Sequence, residues 1–578
     1  MAGIVLPFTT EDEQEAELSR SSLYESLPPE LKEVCEDNPH LLEYLSMLPI
    51  SEIGMPQYYA ELSRKLGDIK EPNIIYPVDR AGVFIHILFD KEKDRNHYIP
   101  VEPIVAQNLD QLMFETEVKL LDLGNKLPQL DINQDKAKQL LDYLDQVVTL
   151  TDIPKPGLID NQLGLLRKNG RQITKIKLTP RQMEGVKYLF IRDKVGAGII
   201  DALIADPNIE DISCSGLGHV FIEHKVFKSL QSTITFATYE ELDEFVLWLA
   251  ERIKKPVTPK EPIADATLPD GSRINIVYGR DVSKQGSNFS IRKFSDVPLS
   301  VFELVEFGAL NYHMLAYLSL AIGNGMNVFV SGETASGKTT LLNAVTTFIP
   351  PFAKVITIED TPELQVPHKN WIREVVQSTK TDNSSGAVTM FDLLKAALRQ
   401  RPNEIMVGEI RGAEGNIAFQ AMQTGHSVMA TFHAATVEKL VQRITGDPIL
   451  VPKNWVENLN VVILTSQVKL PNGKKGRRVT GISEIVGYEP ALDSFSFVEA
   501  FKWIPEEDIF EFTGYMSSYI LEYKIAPRLG FPSHKKKRVY AEMERRANIF
   551  TRLHKEKGIT GFYEVLEVLN QAQREGLL

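Results

Sequence analysis

Between Asn108 and Thr151 the apolar residues Leu112, Leu120, Leu121, Leu140, Leu141 and Leu144 recur at helical spacing, and Pro154 and Pro156 follow as breakers. The pattern predicts a helical connector. Ahead of it, residues 28 to 66 carry short helical patterns cut by Pro28, Pro29, Pro39, Pro49 and Pro56, and Ile74 to Phe89 alternates in the manner of strands. A small accessory region is expected there. From Pro180 to Asp296 the texture changes to a helix through Tyr188 and Ile191, then "DALIADPNIEDISCSG", then strand-like runs at Val220–Phe227 and Arg273–Val277. The run "HVFIEHKVF" alternates as a sheet with one solvated face requires, and the Pro-Asp-Gly of "LPDGSRINIV" supplies a turn before the next strand. A compact α+β domain follows from these signals.

After Pro298, and from Leu304 onward, the order is helix, strand, loop, helix, strand, the pattern of a parallel-sheet α/β domain. The apolar stretch Met314 to Val330 is interrupted by Asn324 and Asn327 and runs straight into a glycine-rich loop. It therefore reads as a buried helix plus strand, not a membrane span. Beyond about Gly530 the chain closes in basic helices. The expected division is an acidic arm with a mixed helical and strand region at 1–179, an α+β domain at 180–297, an α/β domain at 303–530 and a helical segment at 531–578.

Composition narrows the class. The apolar share of 43% and charged share of 24% are those of globular proteins that fold in water. Twelve Asp and Glu against only Arg20 and Lys32 make the stretch Met1 to Pro56 an acidic arm, and it carries most of the net charge of -13. Its plain reading is a solvated lead-in; its functional reading is a docking tail for a basic partner. The acidic balance weighs against a dedicated nucleic-acid binder. Cys35 and Cys214 lie far apart, so neither a disulfide framework nor a four-thiolate zinc site is available, and Met1 to Phe8 lacks the basic start and apolar length of an export signal. A reducing cytoplasm is the expected compartment.

The sharpest motif is "NVFVSGETASGKTT" at 327–340, an apolar strand, then Gly332-x-x-x-x-Gly337-Lys338-Thr339, then a helical "LLNAV". Backbone N–H groups of such a loop face phosphates and the helix that follows adds its positive end. Gly332, Glu333, Thr334, Ala335, Ser336, Gly337, Lys338, Thr339 and Thr340 are thus the predicted nucleotide contacts, with Lys338 on the β and γ phosphates and Thr339 on Mg2+. No Asn-Lys-x-Asp guanine signature follows Lys338, which favours ATP.

Downstream, "VITIEDTPEL" ends an apolar strand in Glu359, Asp360 and Glu363, where a sheet of this kind presents its ligands. One of the three is a candidate to polarise the attacking water. "EIMVGEIRG" ends another strand at Glu409, where nucleotide hydrolases hold magnesium or its water. His426 and His433 flank a Ser/Thr-rich strand; with no cysteine near, zinc is set aside, which leaves phosphate contact or a satisfied core histidine. Arg273, Arg280 and Arg292 lie upstream in a region without its own phosphate loop, and are candidate fingers on a neighbouring ATP or plain surface charges.

In order, "SGETASGKTT", "TIEDTPEL", "MVGEIRGAE" and "TGHSVMATFHA" resemble the phosphate loop, acidic box, magnesium motif and histidine box of the type II/type IV secretion ATPases. The resemblance extends over about residues 180 to 560, and "DPNIEDISCSG", "FHAATVEKLVQRI" and "GITGFYEVLEVL" are most similar to the archaeal branch, which includes the archaellum motor. It implies a RecA-like ATPase domain preceded by a PAS-like, sensor-type domain. It also implies a homo-hexameric ring that hydrolyses ATP with Mg2+ at the inner face of the cytoplasmic membrane, against a polytopic membrane platform protein, for assembly of pilin-like or archaellin-like filaments or for secretion. Conjugation-type transfer and an ATP-gated scaffold are the alternatives. By the same resemblance Glu363 is the water-activating carboxylate with Glu359 and Asp360 in support. Glu409 is then the magnesium-side acid, His426 and His433 the histidine box, and Arg273, Arg280 and Arg292 the candidate fingers. The four-cysteine zinc subdomain of many bacterial members has no counterpart between Glu438 and Tyr488. The region before 180 carries no transferable motif and is assigned to docking on a cytosolic scaffold.

Overall fold

The computed structural model describes residues 3–4, 6–7, 23–104, 109–123, 135–151, 175–268, 270–294, 297–377 and 388–577. Much of the acidic arm (8–22) and the parts of the connector at 124–134 and 152–174, with Pro154 and Pro156, lie outside these residues. The chain forms two compact units, Met1–Phe294 and Ser295–Leu578.

The first unit is built on one 11-stranded sheet among the described residues. Its order runs 263–267, 273–277, 288–292, 209–214, 218–224, 228–236, 95–101, 84–90, 73–77, 57–58, with the short strand Gly3–Ile4 added beside 228–236. Neighbours are mostly antiparallel hairpins. One of them turns through Asp270 and Gly271: Asp270 Oδ1 accepts from Ser272 N at 3.0 Å between 263–267 and 273–277. Two pairings are parallel, the short edge strand 57–58 beside 73–77 and the splice of 228–236 to 95–101, through Gln231 opposite His97. Strands from both sides of residue 180 therefore share a single sheet.

A buried polar cluster locks that splice. Tyr76 and Tyr98 both donate to Asp206 Oδ2, at 2.7 and 2.9 Å, and Tyr76 also meets His224 Nε2 at 3.1 Å. Burial holds the His224 imidazole neutral, its pKa lowered to about 4. The stretch 23–56 of the acidic arm is folded, with helices Pro29–Asp37, Pro39–Ser46 and Ile50–Ile53 that bury Leu31, Cys35, Leu41, Tyr44 and Leu45 against the strand residues Ile75, Phe84 and Ile99. Its acids ride on the outer faces of helices whose inner faces are apolar.

The second unit is α/β. Its strands are β1 (Val328–Gly332), β2 (Val355–Glu359), β3 (Trp371–Val375), β4 (Glu404–Ile410), β5 (Ser427–Phe432), β6 (Val461–Lys469), β7 (Lys475–Glu489), β8 (Ser494–Ile504) and β9 (Ile509–Glu511). They lie in the order β3-β2-β4-β5-β1-β6-β7-β8-β9, parallel from β3 to β6 and antiparallel beyond. Every residue of β1 and β2 is buried, as strands covered on both faces must be, and this is why they read as unbroken apolar runs.

Alternation divides the core in two. Val328, Val330, Met406, Met429 and Val461 face the helices α1 (Val301–Glu306), α2 (Tyr312–Gly323), α3 (Lys338–Val345), α7 (Arg538–Lys555) and α8 (Phe562–Arg574). Phe329, Ile356, Ile405, Val428 and Val462 face α4 (Met390–Leu398), α5 (Glu414–Gln423) and α6 (Val437–Thr445). Helix α2 is apolar all round because it is buried all round, from Met314 to Ile322. Among the described residues no helix is long and apolar enough to cross a membrane.

The closing helices are fixed by a second buried cluster. Glu484 of β7 is inaccessible and accepts from Tyr317 Oη at 2.8 Å, Ser518 Oγ at 2.6 Å and Ile520 N at 3.1 Å. Tyr540 of α7 donates to Glu522 and accepts from Ser518 N, both at 2.9 Å.

Candidate functional site

β1 is the central parallel strand, and the loop that leaves its carboxyl end turns directly into α3. Gly337 caps α3 at φ 92°, a left-handed conformation that glycine adopts without penalty. Gly332 is needed for space. A Cβ there would lie 2.2 Å from the Thr465 carbonyl oxygen and 2.7 Å from both the Ser336 and Thr465 hydroxyls. Backbone carbonyl oxygens in a buried parallel sheet cannot retreat, so Gly332→Ala is expected to cost about 3 kcal/mol of stability and to loosen the loop. Thermal melting and nucleotide titration check this; an unchanged melting temperature would show that the close approach is absent in solution.

The Lys338 ammonium lies across the loop, donating to Gly332 O at 3.0 Å and Glu333 O at 2.8 Å. Burial lowers its pKa, while Glu409 and, less strongly, Glu363 act in the opposite sense. Thr339 Oγ1 donates to Glu363 Oε2 at 3.4 Å. A hydroxyl and carboxylates of this kind are the hard oxygen donors that suit Mg2+, which completes its shell from phosphates and water.

The three acids after β2 have different jobs. Glu359 is 1% exposed, and its Oε1 accepts from the backbone N–H groups of Glu363 (2.7 Å) and Leu364 (2.6 Å), while Oε2 lies 3.5 Å from Arg373. Burial pushes its pKa up to about 7 against those stabilising bonds. Its carboxylate shapes the chain that carries Glu363. Asn343 of α3 adds a second clamp, donating to Glu363 O and accepting from Gln365 N, both at 3.0 Å. Glu363, half-buried, is thereby held over the start of α3. Asp360 is exposed.

Glu409 sits where the pairing of β4 with β5 shifts register, between Val407 and Ile410. Such an irregularity re-aims a side chain at a strand end. Gly408 makes it possible by leaving room for Glu359, whose Cγ lies 3.2 Å from where a Cβ would stand. Glu409 Oε2 pairs with Arg411 at 2.6 Å. His433 is exposed just past β5, whose Phe432 pairs with Ser331 at the mouth of the loop.

His426 is not brought to this edge. It precedes β5, at the opposite end of a strand whose Met429 already pairs with Val328, the first residue of β1, and its Nδ1 meets Thr424 Oγ1 at 3.1 Å. Arg273 and Arg292, in the first unit, stand directly opposite each other on adjacent strands. Each is tied to an acid, Arg273 to Asp265 at 3.2 Å and Arg292 to Asp211 at 3.4 Å, and these residues line an open groove of about 410 Å³ together with Asn275 and Ser290. Arg280 lies in the turn at the far end of that hairpin and stacks on Tyr239. Sequence reasoning passed over Asn343, Arg411, Thr465 and Arg477. "RGAE" and "KKGRR" did hold the two arginines in plain view, but nothing local tied Thr465 or Arg477 to a loop some 130 residues earlier.

A glycine loop at the carboxyl edge of a parallel sheet, with a lysine and threonine at the following helix and acids on neighbouring strands, defines the class of phosphate-loop α/β proteins. Comparison narrows the class. The family described as "Type II/IV secretion system protein" matches residues 193–468, a span that takes in the loop, Glu359, Asp360, Glu363, Glu409 and both histidines. An uncharacterized protein of Methanocaldococcus jannaschii is 40% identical over 550 residues, or 95% of this chain and 97% of the relative. The type IV secretion system protein PtlH homolog of Bordetella bronchiseptica is 32% identical over 231 residues, 36% of this chain and 68% of the relative. The solved ATPase DotB of Legionella pneumophila is 18% identical, covers 63% of this chain and 93% of its own, and superposes with a TM-score of 0.37. The chain belongs to the type II/IV secretion ATPase family.

Proposed function

We propose that this chain hydrolyses ATP as the motor of a filament-assembly or secretion machine. The observation that carries the reading is the convergence of Lys338, Thr339, Glu363 and Glu409 at one edge of the parallel sheet. In this reading the loop amides and Lys338 hold the β and γ phosphates, and the Thr339 hydroxyl and Glu409 carboxylate hold Mg2+. Bound Mg2+ neutralises charge on the transferred phosphoryl group. Glu363 orients the attacking water and takes its proton, His433 contacts the phosphate edge, and Glu359 keeps Glu363 in place. Arg273 and Arg292 are the candidate fingers, and opening of their aspartate pairs would free them for phosphate; Arg280, stacked on Tyr239, is the weaker candidate.

The working unit in this reading is a homo-hexamer at the cytoplasmic membrane, docked on a polytopic platform protein and powering pilin-like or archaellin-like filaments. The first unit, which takes in the PAS-like region at 180–297 as far as Phe294, transmits the motion, and its first 179 residues dock a cytosolic scaffold. The net charge of -13 weighs against nucleic acid as the partner. The test is magnesium-dependent phosphate release from ATP by the purified full chain, sized with and without nucleotide. Turnover in a hexamer-sized fraction is expected. No affinity for adenine nucleotides in the presence of magnesium would overturn the reading, and binding without turnover would leave the ATP-gated scaffold.

A further inference from the structure

We infer that Arg477 is a positioning residue of the phosphate loop. The inference rests on the nucleotide-site reading above and adds a residue beyond the matched span, which ends at 468. Arg477 stands near the start of β7, opposite Gln467 of β6, and its Nε donates to the Ala335 carbonyl at 3.0 Å. Its Cδ also lies 3.5 Å from where a Cβ on Gly337 would be, so the stem of the side chain runs along the outside of the loop.

The bond falls where the loop most needs support. A nest of backbone N–H groups can face an anion only if the intervening carbonyls turn away from it. Each outward carbonyl swings back unless something holds it. Ala335 is a non-glycine residue at φ 62°, a conformation that side chains disfavour, and it is exposed at the tip of the loop. Next to it, Ser336 Oγ is tied to Thr465 Oγ1 at 3.0 Å, which fixes one flank of the tip to β6. Arg477 fixes the other flank to β7.

The strand that carries Arg477 is itself anchored. The adjacent Arg478 is buried, grips both oxygens of Asp508 at 2.7 Å, and donates to Phe307 O at 2.9 Å. Asp508 accepts in turn from Trp503 Nε1 at 2.9 Å. Arg477 therefore reaches the loop from a fixed base and holds the Ala335 carbonyl outward, so that the following N–H groups stay aimed at phosphate.

The experiment compares the native full chain with Arg477→Ala and Arg477→Lys by titration with a fluorescent ADP analogue, ATP turnover and thermal melting. Because the guanidinium is exposed, the alanine variant should melt with the native chain. Loss of one charge-assisted bond should raise its KM and weaken ADP binding about tenfold, with kcat within about twofold. Lysine, which still donates to the same carbonyl, should recover part of the affinity. Native ADP affinity in Arg477→Ala overturns the inference, as does a lowered melting temperature with KM unchanged. If the native chain itself binds no ADP, the functional reading falls and this inference with it; if it binds ADP and the alanine variant binds equally, only the role of Arg477 falls.

Discussion

Lys338→Ala is expected to reduce phosphate release to background and to weaken nucleotide binding by on the order of a hundredfold or more, the worth of two lost charge-assisted hydrogen bonds to phosphate. The folded chain should survive the change. Lys338 is only partly buried, and its protein partners are two main-chain carbonyls, that of Gly332 at the end of β1 and that of exposed Glu333, not buried side chains. Two acids, Glu409 and Glu363, lie near enough to act on its charge, so the ammonium is the group that makes this edge of the sheet hospitable to a polyanion. Titration with a labelled nucleotide and a phosphate-release assay check both halves. Activity within a few fold of the native chain would remove the loop from the site.

Glu363→Gln should separate binding from chemistry. Glutamine keeps the shape of the side chain, and the main chain at this position is held by Glu359 and Asn343 independently of the carboxylate. Nucleotide affinity is therefore expected to stay near native, while kcat falls by about 10²- to 10⁴-fold, the usual contribution of a positioned general base. Single-turnover measurements with excess protein give the cleanest reading. Undiminished turnover would exclude Glu363 as the base and turn attention to Glu409. Glu359 is the poorer choice, since it is 1% exposed and its Oε1 is engaged in holding the main chain of Glu363 and Leu364.

The site was legible in the sequence where its parts are contiguous. A strand, six loop residues, a lysine, a threonine and a helix follow one another without interruption, so local pattern alone assembles Gly332 to Thr339. The division of labour among Glu359, Asp360 and Glu363 was not legible, because all three are carboxylates on one turn and only the fold shows which points inward. The histidines illustrate a rule within reach of sequence reasoning. Seven residues of extended chain span roughly 23 Å, so His426 and His433 cannot both meet one phosphate from the same strand. Thr465 and Arg477 were invisible for a different reason: they come from strands that join the sheet only after the chain has passed through four further strands in the case of Thr465 and five in that of Arg477. In the first unit the strands within 73–90, 218–224 and 273–277 and the turn before the last of them were readable, but the parallel splice of 228–236 to 95–101 was not, because nothing in either run specifies its partner.

That splice sets limits on how the molecule can be dissected. A fragment that starts near residue 180 would strip 228–236 of its neighbour and leave a raw row of amides open to pairing with another fragment. It would also strand the Asp206 carboxylate in the interior without the two phenols that solvate it. Such a truncation should come out of cells as aggregate, however intact its catalytic half.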